Sequence, residues 1–265
     1  MTSISPPDVA RVAGPTLFVR YAFPPNYHGS CGPPDSQALF QYGATATVDN
    51  GLRDLARQFN GAWPYLELIA QATGVGDPLD RRVVEAYWVG NRLLDRVGVR
   101  PLAQSMEDRF RFTTGSQFGK LADAALVGGM PHHSYHVFCI YPWVGLLGND
   151  RRYEQALMVL DRCRIRWGQV QQVGADRLVV KSQPLLYDEG KLFLGQPILE
   201  TVERTLNGIG LVPEFHVGDW VSMHWEWVCD RLDARQLAAL RHYTRLHLDV
   251  VNERLDHSGA ITALG

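Results

Sequence analysis

From Cys163 onward the hydrophobic pattern of this 265-residue chain changes period, and that change limits the folds open to it. Cys163-Arg-Ile-Arg-Trp-Gly-Gln-Val alternates as a strand does, and Gly174-Ala175-Asp176 turns the chain into RLVVKSQPLLY. Asp188-Glu189-Gly190 leads into KLFLG, ILETVERTL ends at an Asn207-Gly208 turn, and VPEFHVGDWVSMHWEWV supplies a final strand. Short strands separated by regular turns predict a small β-barrel. Asp233 then caps an amphipathic helix with Leu237, Leu240, Tyr243, Thr244 and Leu248 on one stripe.

Before Cys163 the spacing is helical. Leu17 to Phe23 is a short apolar segment ending at Pro24 and Pro25, and a Gly/Pro-rich stretch follows. Asp35 or Ser36 caps the next helix, with Cys31 in the turn upstream. Val48 to Phe59 and Trp63 to Ala72 are helical, and Asp80 caps a longer helix, RRVVEAYWVGNRLLDRVG, ended by Gly98. Leu102 to Phe110 and Ser116 to Val127 continue the series. Pro131 opens a helix carrying HHSYHVFCIYPW, and YEQALMVLDRC is the last before the strands. The expected class is α+β: a mainly helical domain over residues 1–161, then a barrel with a C-terminal helix over 162–265.

Charge and composition narrow the function. Twenty-six basic side chains against 28 acidic ones give a net charge of −2, which removes the electrostatic case for a general nucleic-acid binder. No apolar run approaches a membrane span, and the N-terminal stretch has neither the basic nor the apolar region of a secretory signal. A cytoplasmic protein without membrane partners is the expectation. Its four cysteines, Cys31, Cys139, Cys163 and Cys229, are then reduced and free for metal or reaction chemistry, although a buried inert thiol is the commoner fate.

Two groups of metal-ligand residues stand out. On a helix His132 and His136 share a face, with Cys139 within one turn, and His28-x2-Cys31 repeats the spacing of His136-x2-Cys139. Four nitrogen and sulfur donors of this kind suit zinc or iron, whereas the competing reading is a packed aromatic core with satisfied imidazoles. Cys31 is also placed ahead of a helix N-terminus, which favours its thiolate. Glu67 and Glu85 lie on apolar helices, where either supplies a carboxylate or forms an ion pair. The second group is Cys163 and His224, a thiol ahead of one strand and an imidazole on another. Their alternative is a helix-end thiol and a half-buried barrel histidine. Trp220, Trp225 and Trp227 around His224 read as core. No phosphate-binding glycine loop, dinucleotide fingerprint or serine-hydrolase elbow is present, so no nucleotide cofactor is expected.

The segment from about Arg162 to Leu255 resembles the HypC/HupF family of NiFe-hydrogenase maturation chaperones. The residues that carry the likeness are Cys163 to Val170 and Val217-Gly218-Asp219-Trp220-Val221-Ser-Met-His224, followed by Leu232-Asp233. Trp167 stands where the family has proline, Cys163 is internal rather than N-terminal, and Ile198 to Pro213 reads as an insertion. The resemblance implies that Cys163 and His224 are iron ligands. It further implies a chaperone that binds the hydrogenase large-subunit precursor and iron-centre assembly proteins, the iron bearing diatomic ligands. The other function carried forward is a metal-dependent enzyme, whose helical domain makes or delivers a small ligand for that iron centre. Iron is the expected metal and zinc the alternative.

Overall fold

The computed structural model describes residues 12–105, 128–148 and 151–263. Helices come first, and the α+β class is as expected. Helix α1 (Gly14–Tyr27) runs through Pro24 and Pro25 instead of stopping at them. A proline in a last turn removes only its own N–H bond, and the buried face from Leu17 to Phe23 holds the helix in place. Asp35 caps α2 (Ser36–Thr45), Asp49 caps α3 (Asn50–Arg57), and Pro64 sits in the first turn of α4 (Trp63–Thr73).

Helix α5 (Arg81–Trp88), capped by Asp80, is shorter than its sequence pattern. It ends where Gly90 takes φ +97°, and only a 3-10 turn, Leu94–Arg96, follows. Gly90 is also where Tyr243 packs: a methyl group there would fall 2.1 Å from Tyr243 Cδ2. Gly90→Ala is therefore expected to destabilise the fold by about 2–4 kcal/mol, from left-handed strain and overpacking together, measured by urea unfolding. The stretch from Ser116 to Val127, and Leu102 to Phe110 from residue 106 onward, lie outside the described residues.

Around Pro131 the structure departs from the expected long helix. His132 is extended (φ −124°, ψ 145°) and caps a short helix α6 (His133–Tyr135), its side chain accepting from the Ser134 N–H. A π-helical turn, His136–Ile140, and a 3-10 turn, Pro142–Leu146, complete the segment. His132 is thus outside the helix, and the shared face expected for His132 and His136 does not exist. Helix α7 (Tyr153–Cys163) ends on Cys163 itself.

Nine strands follow: β1 (Arg166–Val173), β2 (Arg177–Ser182), β3 (Leu185–Asp188), β4 (Lys191–Leu194), β5 (Ile198–Glu203), β6 (Thr205–Leu206), β7 (Ile209–Gly210), β8 (Trp220–His224) and β9 (Trp227–Arg231). Five of them form one sheet that closes on itself in the order β1-β2-β5-β9-β8. The pairs β3–β4 and β6–β7 stand apart as hairpins. Alternate side chains turn inward, so Val170, Leu178, Val180, Val202, Val221, Met223 and Val228 fill the closed sheet. The expected final strand is in fact the β8–β9 hairpin, because Trp225 takes φ +51° at the turn. The three tryptophans do not alternate along one strand. Trp225 and Trp227 are nevertheless core, at 3% and 5% exposure.

The hydrophobic core does not stop at residue 161. One cluster joins Leu17, Tyr21 and Phe23 of α1 to Trp167 and Trp227 of the sheet and to Leu237 and Leu240 of α8 (Ala234–Ala263). Helix α1 lies on the β8–β9 hairpin: Arg20 pairs with Asp230 at 2.7 Å, and the Tyr21 hydroxyl meets Ser222 at 2.8 Å. Buried Glu85 is ion-paired, receiving Arg81, Arg235 and Gln236. Among the described residues no helix is long and apolar enough to cross a membrane.

Candidate metal centre

Cys163 and His224 meet because β1 and β8 are partners. Their register, with Arg166 opposite Met223, brings the chain just before β1 beside the end of β8. A bond from the Trp225 N–H to the Arg162 carbonyl, 2.7 Å, fastens that corner. The third member comes from α6. One donor atom each from His133, Cys163 and His224 lies within 4.8 Å of the others, and all three residues are buried.

Each imidazole is oriented by a helix carbonyl that has no helical partner. In α1 the Tyr21 carbonyl would accept from the amide four residues on, but that residue is Pro25 and the one before it Pro24. His224 Nδ1 takes this carbonyl at 2.7 Å. A carbonyl only accepts, so Nδ1 carries the proton and Nε2 keeps its lone pair. Nε2 is buried and has no hydrogen-bond partner. His133 uses the Cys163 carbonyl at the C-terminal end of α7, donating from Nε2 at 2.8 Å. Its Nδ1 faces the Tyr87 hydroxyl at 3.2 Å, and that hydroxyl donates to the Gly61 carbonyl at 2.9 Å. His224, held by one N–H with its other nitrogen unpartnered, has the hydrogen-bonding arrangement of a metal ligand.

Burial makes the three donors neutral at pH 7. Burial depresses His133 to about 4 and His224 well below its ordinary value, so both are neutral bases near pH 7. Burial, with Cys31 nearby, pushes the Cys163 thiol up to about 12. The thiol therefore keeps its proton until a cation displaces it. Trp88 walls the site, its ring 4.6 Å from His133 and 5.6 Å from His224. The group opens on a cavity of about 20 Å³ that Cys31, Gly61, His136 and Tyr141 also line, room for one water-sized sphere.

Of the residues marked by sequence, the structure brings Cys163, His224, His136 and Cys31 around one cavity. It turns three others away. His132 stacks on Tyr243 and His247, with Ser134 bridging the Nδ1 atoms of His132 and His247 at 2.8 and 2.7 Å. Cys139 points to the His247 carbonyl at 4.0 Å. His28 lies exposed on the surface, stacked on Trp225 with its Nδ1 2.7 Å from Ser30. The helical periodicity that joined His132, His136 and Cys139 fails because the cap and the π turn shift the register. His133 was missed for the same reason, although the His-His pair after Pro131 already held it.

Residues 10–258 match one family profile. The chain belongs to the family of unknown function DUF6390. No curated protein and no solved structure matches it significantly. Within this DUF6390 chain the match runs through both the helices and the closed sheet, so all three donors fall inside it.

Proposed function

We propose that this DUF6390 chain is a metal-binding accessory protein that holds a borderline-to-soft divalent cation, iron first and zinc second, between His133, Cys163 and His224. The observation that carries the reading is the meeting of three buried donors from α6, α7 and β8 within 4.8 Å. Two neutral imidazoles and a thiol suit ferrous iron or zinc, and three protein ligands leave a position open. The likeness to HypC/HupF chaperones, at Cys163 and His224, supports the same pair and gives the reading its context. In that context the closed sheet is a HypC-like barrel, the cargo is iron for a NiFe hydrogenase, and the partners are the large-subunit precursor and the iron-centre assembly proteins. A chaperone is favoured over an enzyme on the HypC/HupF likeness at Cys163 and His224.

Metal analysis of anaerobically purified protein, loaded with ferrous iron or zinc, tests the centre. One ion per chain is expected in the intact protein and in His132→Ala, and less than a tenth of that in Cys163→Ala or His133→Ala. Equal metal in the intact protein and the Cys163 variant would sink the reading. Co-purification with a hydrogenase large subunit, lost in the same variant, tests the partner.

A further inference from the structure

The cavity beside the three donors is lined by a second thiol. We infer that Cys31 is the fourth protein ligand of the same ion, closing a two-cysteine, two-histidine tetrahedron. This rests on the metal reading above and specifies its chemistry. The cavity, about 20 Å³, is the size of a single ion or water, and Cys31, His133, Cys163 and His224 all line it. Facing them, the His224 Nε2 lone pair is buried in a residue only 1% exposed and has no partner. Cys31 lies outside the 4.8 Å group of His133, Cys163 and His224, so on this assignment its thiol turns into the shared cavity when the ion binds.

Cys31 is held there by design of the loop rather than by chance. Buried Asn26 donates from its side-chain amide to the Cys31 carbonyl at 2.9 Å and to the Pro33 carbonyl at 2.5 Å. Gly32, at φ +88°, presses against the Phe59 ring, where a methyl group would fall 2.4 Å from a ring carbon. The backbone of Gly61 and Gly32 beside the Cys31 sulfur favours its thiolate, partly offsetting the burial that raises it. Gly61 has no side chain to fill the space: its missing Cβ would lie 3.8 Å from Cys31 Sγ and 3.3 Å from His136 Nε2. Cys31 is only partly buried, whereas the three other donors are buried. Zinc and ferrous iron accept two thiolates and two imidazoles in a tetrahedron, and each thiolate releases one proton on binding.

Cobalt(II) loaded anaerobically into the full chain reads the thiolates directly, because each Co–S bond adds to the near-ultraviolet charge-transfer band. The intact protein is expected to show tetrahedral visible bands and a two-thiolate charge-transfer intensity. Cys31→Ser, close to isosteric and so compatible with the turn, is expected to halve that intensity per bound cobalt and to weaken binding at least tenfold. His136→Gln is expected to leave both unchanged. A Cys31→Ser spectrum identical to that of the intact protein overturns the assignment and leaves the three-donor centre standing. No cobalt bound by the intact protein overturns both. Loss of the bands in His136→Gln alone transfers the fourth position to His136 and overturns the Cys31 assignment.

Discussion

Between about pH 6 and pH 8, the zinc affinity of the intact chain is expected to rise about a hundredfold per pH unit, tenfold for each thiol proton displaced. The sign follows from the site. Burial holds Cys163 at about 12 and raises Cys31, so both thiols are protonated throughout this window. His133, at about 4, and His224, lower than usual, are already deprotonated and contribute no slope. Competition against a chromophoric chelator of known pH dependence gives the measurement. Cys31→Ser is expected to reduce the slope to tenfold per unit, which isolates Cys163. An affinity independent of pH would exclude thiolate ligation altogether.

The metal-free chain is expected to lose stability steeply below about pH 6.5. His133 and His247 are buried as neutral rings, with burial lowering them to about 4 and about 3. Below their ordinary value the unfolded chain takes protons that the folded chain refuses, so each histidine costs about 1.4 kcal/mol per pH unit until its folded value is reached. By pH 4 the two together remove roughly 7 kcal/mol, comparable with the whole stability of an ordinary domain. His132 and His224 are lowered as well and act in the same direction. Urea midpoints from pH 7 down to pH 4 follow the loss. His133→Gln or His247→Gln should flatten the profile, and a midpoint that does not move with pH would contradict the burial of neutral imidazoles.

The sequence carried more of the strands than of the site. Period-two alternation located the sheet, because alternation is local and each side chain reports its own face, and Asn207-Gly208 located the separate β6–β7 turn. The pairing of Cys163 with His224 was legible only through a family likeness, since no local rule says which strands become neighbours. His133 was harder. A helix drawn from Pro131 puts His132 in register with His136, and only the extended backbone of His132 shows that the register starts one residue later. The hairpin at Trp225 was hidden for a related reason: a bulky aromatic residue in the left-handed region leaves no turn signature in the sequence. Pro24 and Pro25 read as the end of a segment, yet their place inside α1 is what frees the Tyr21 carbonyl for His224.

That carbonyl has a consequence for how the molecule holds together. His224 belongs to the sheet, but its proton is fixed by α1, and the helical part also supplies His133 and Cys31. An ion seated among these donors can bind only the docked arrangement of helices and sheet, so its binding energy adds directly to docking. Linkage runs both ways: anything that loosens α1 from the β8–β9 hairpin must loosen the ion by the same factor. Such an ion would act as a fastener, its release coupled to the unlatching of the helices.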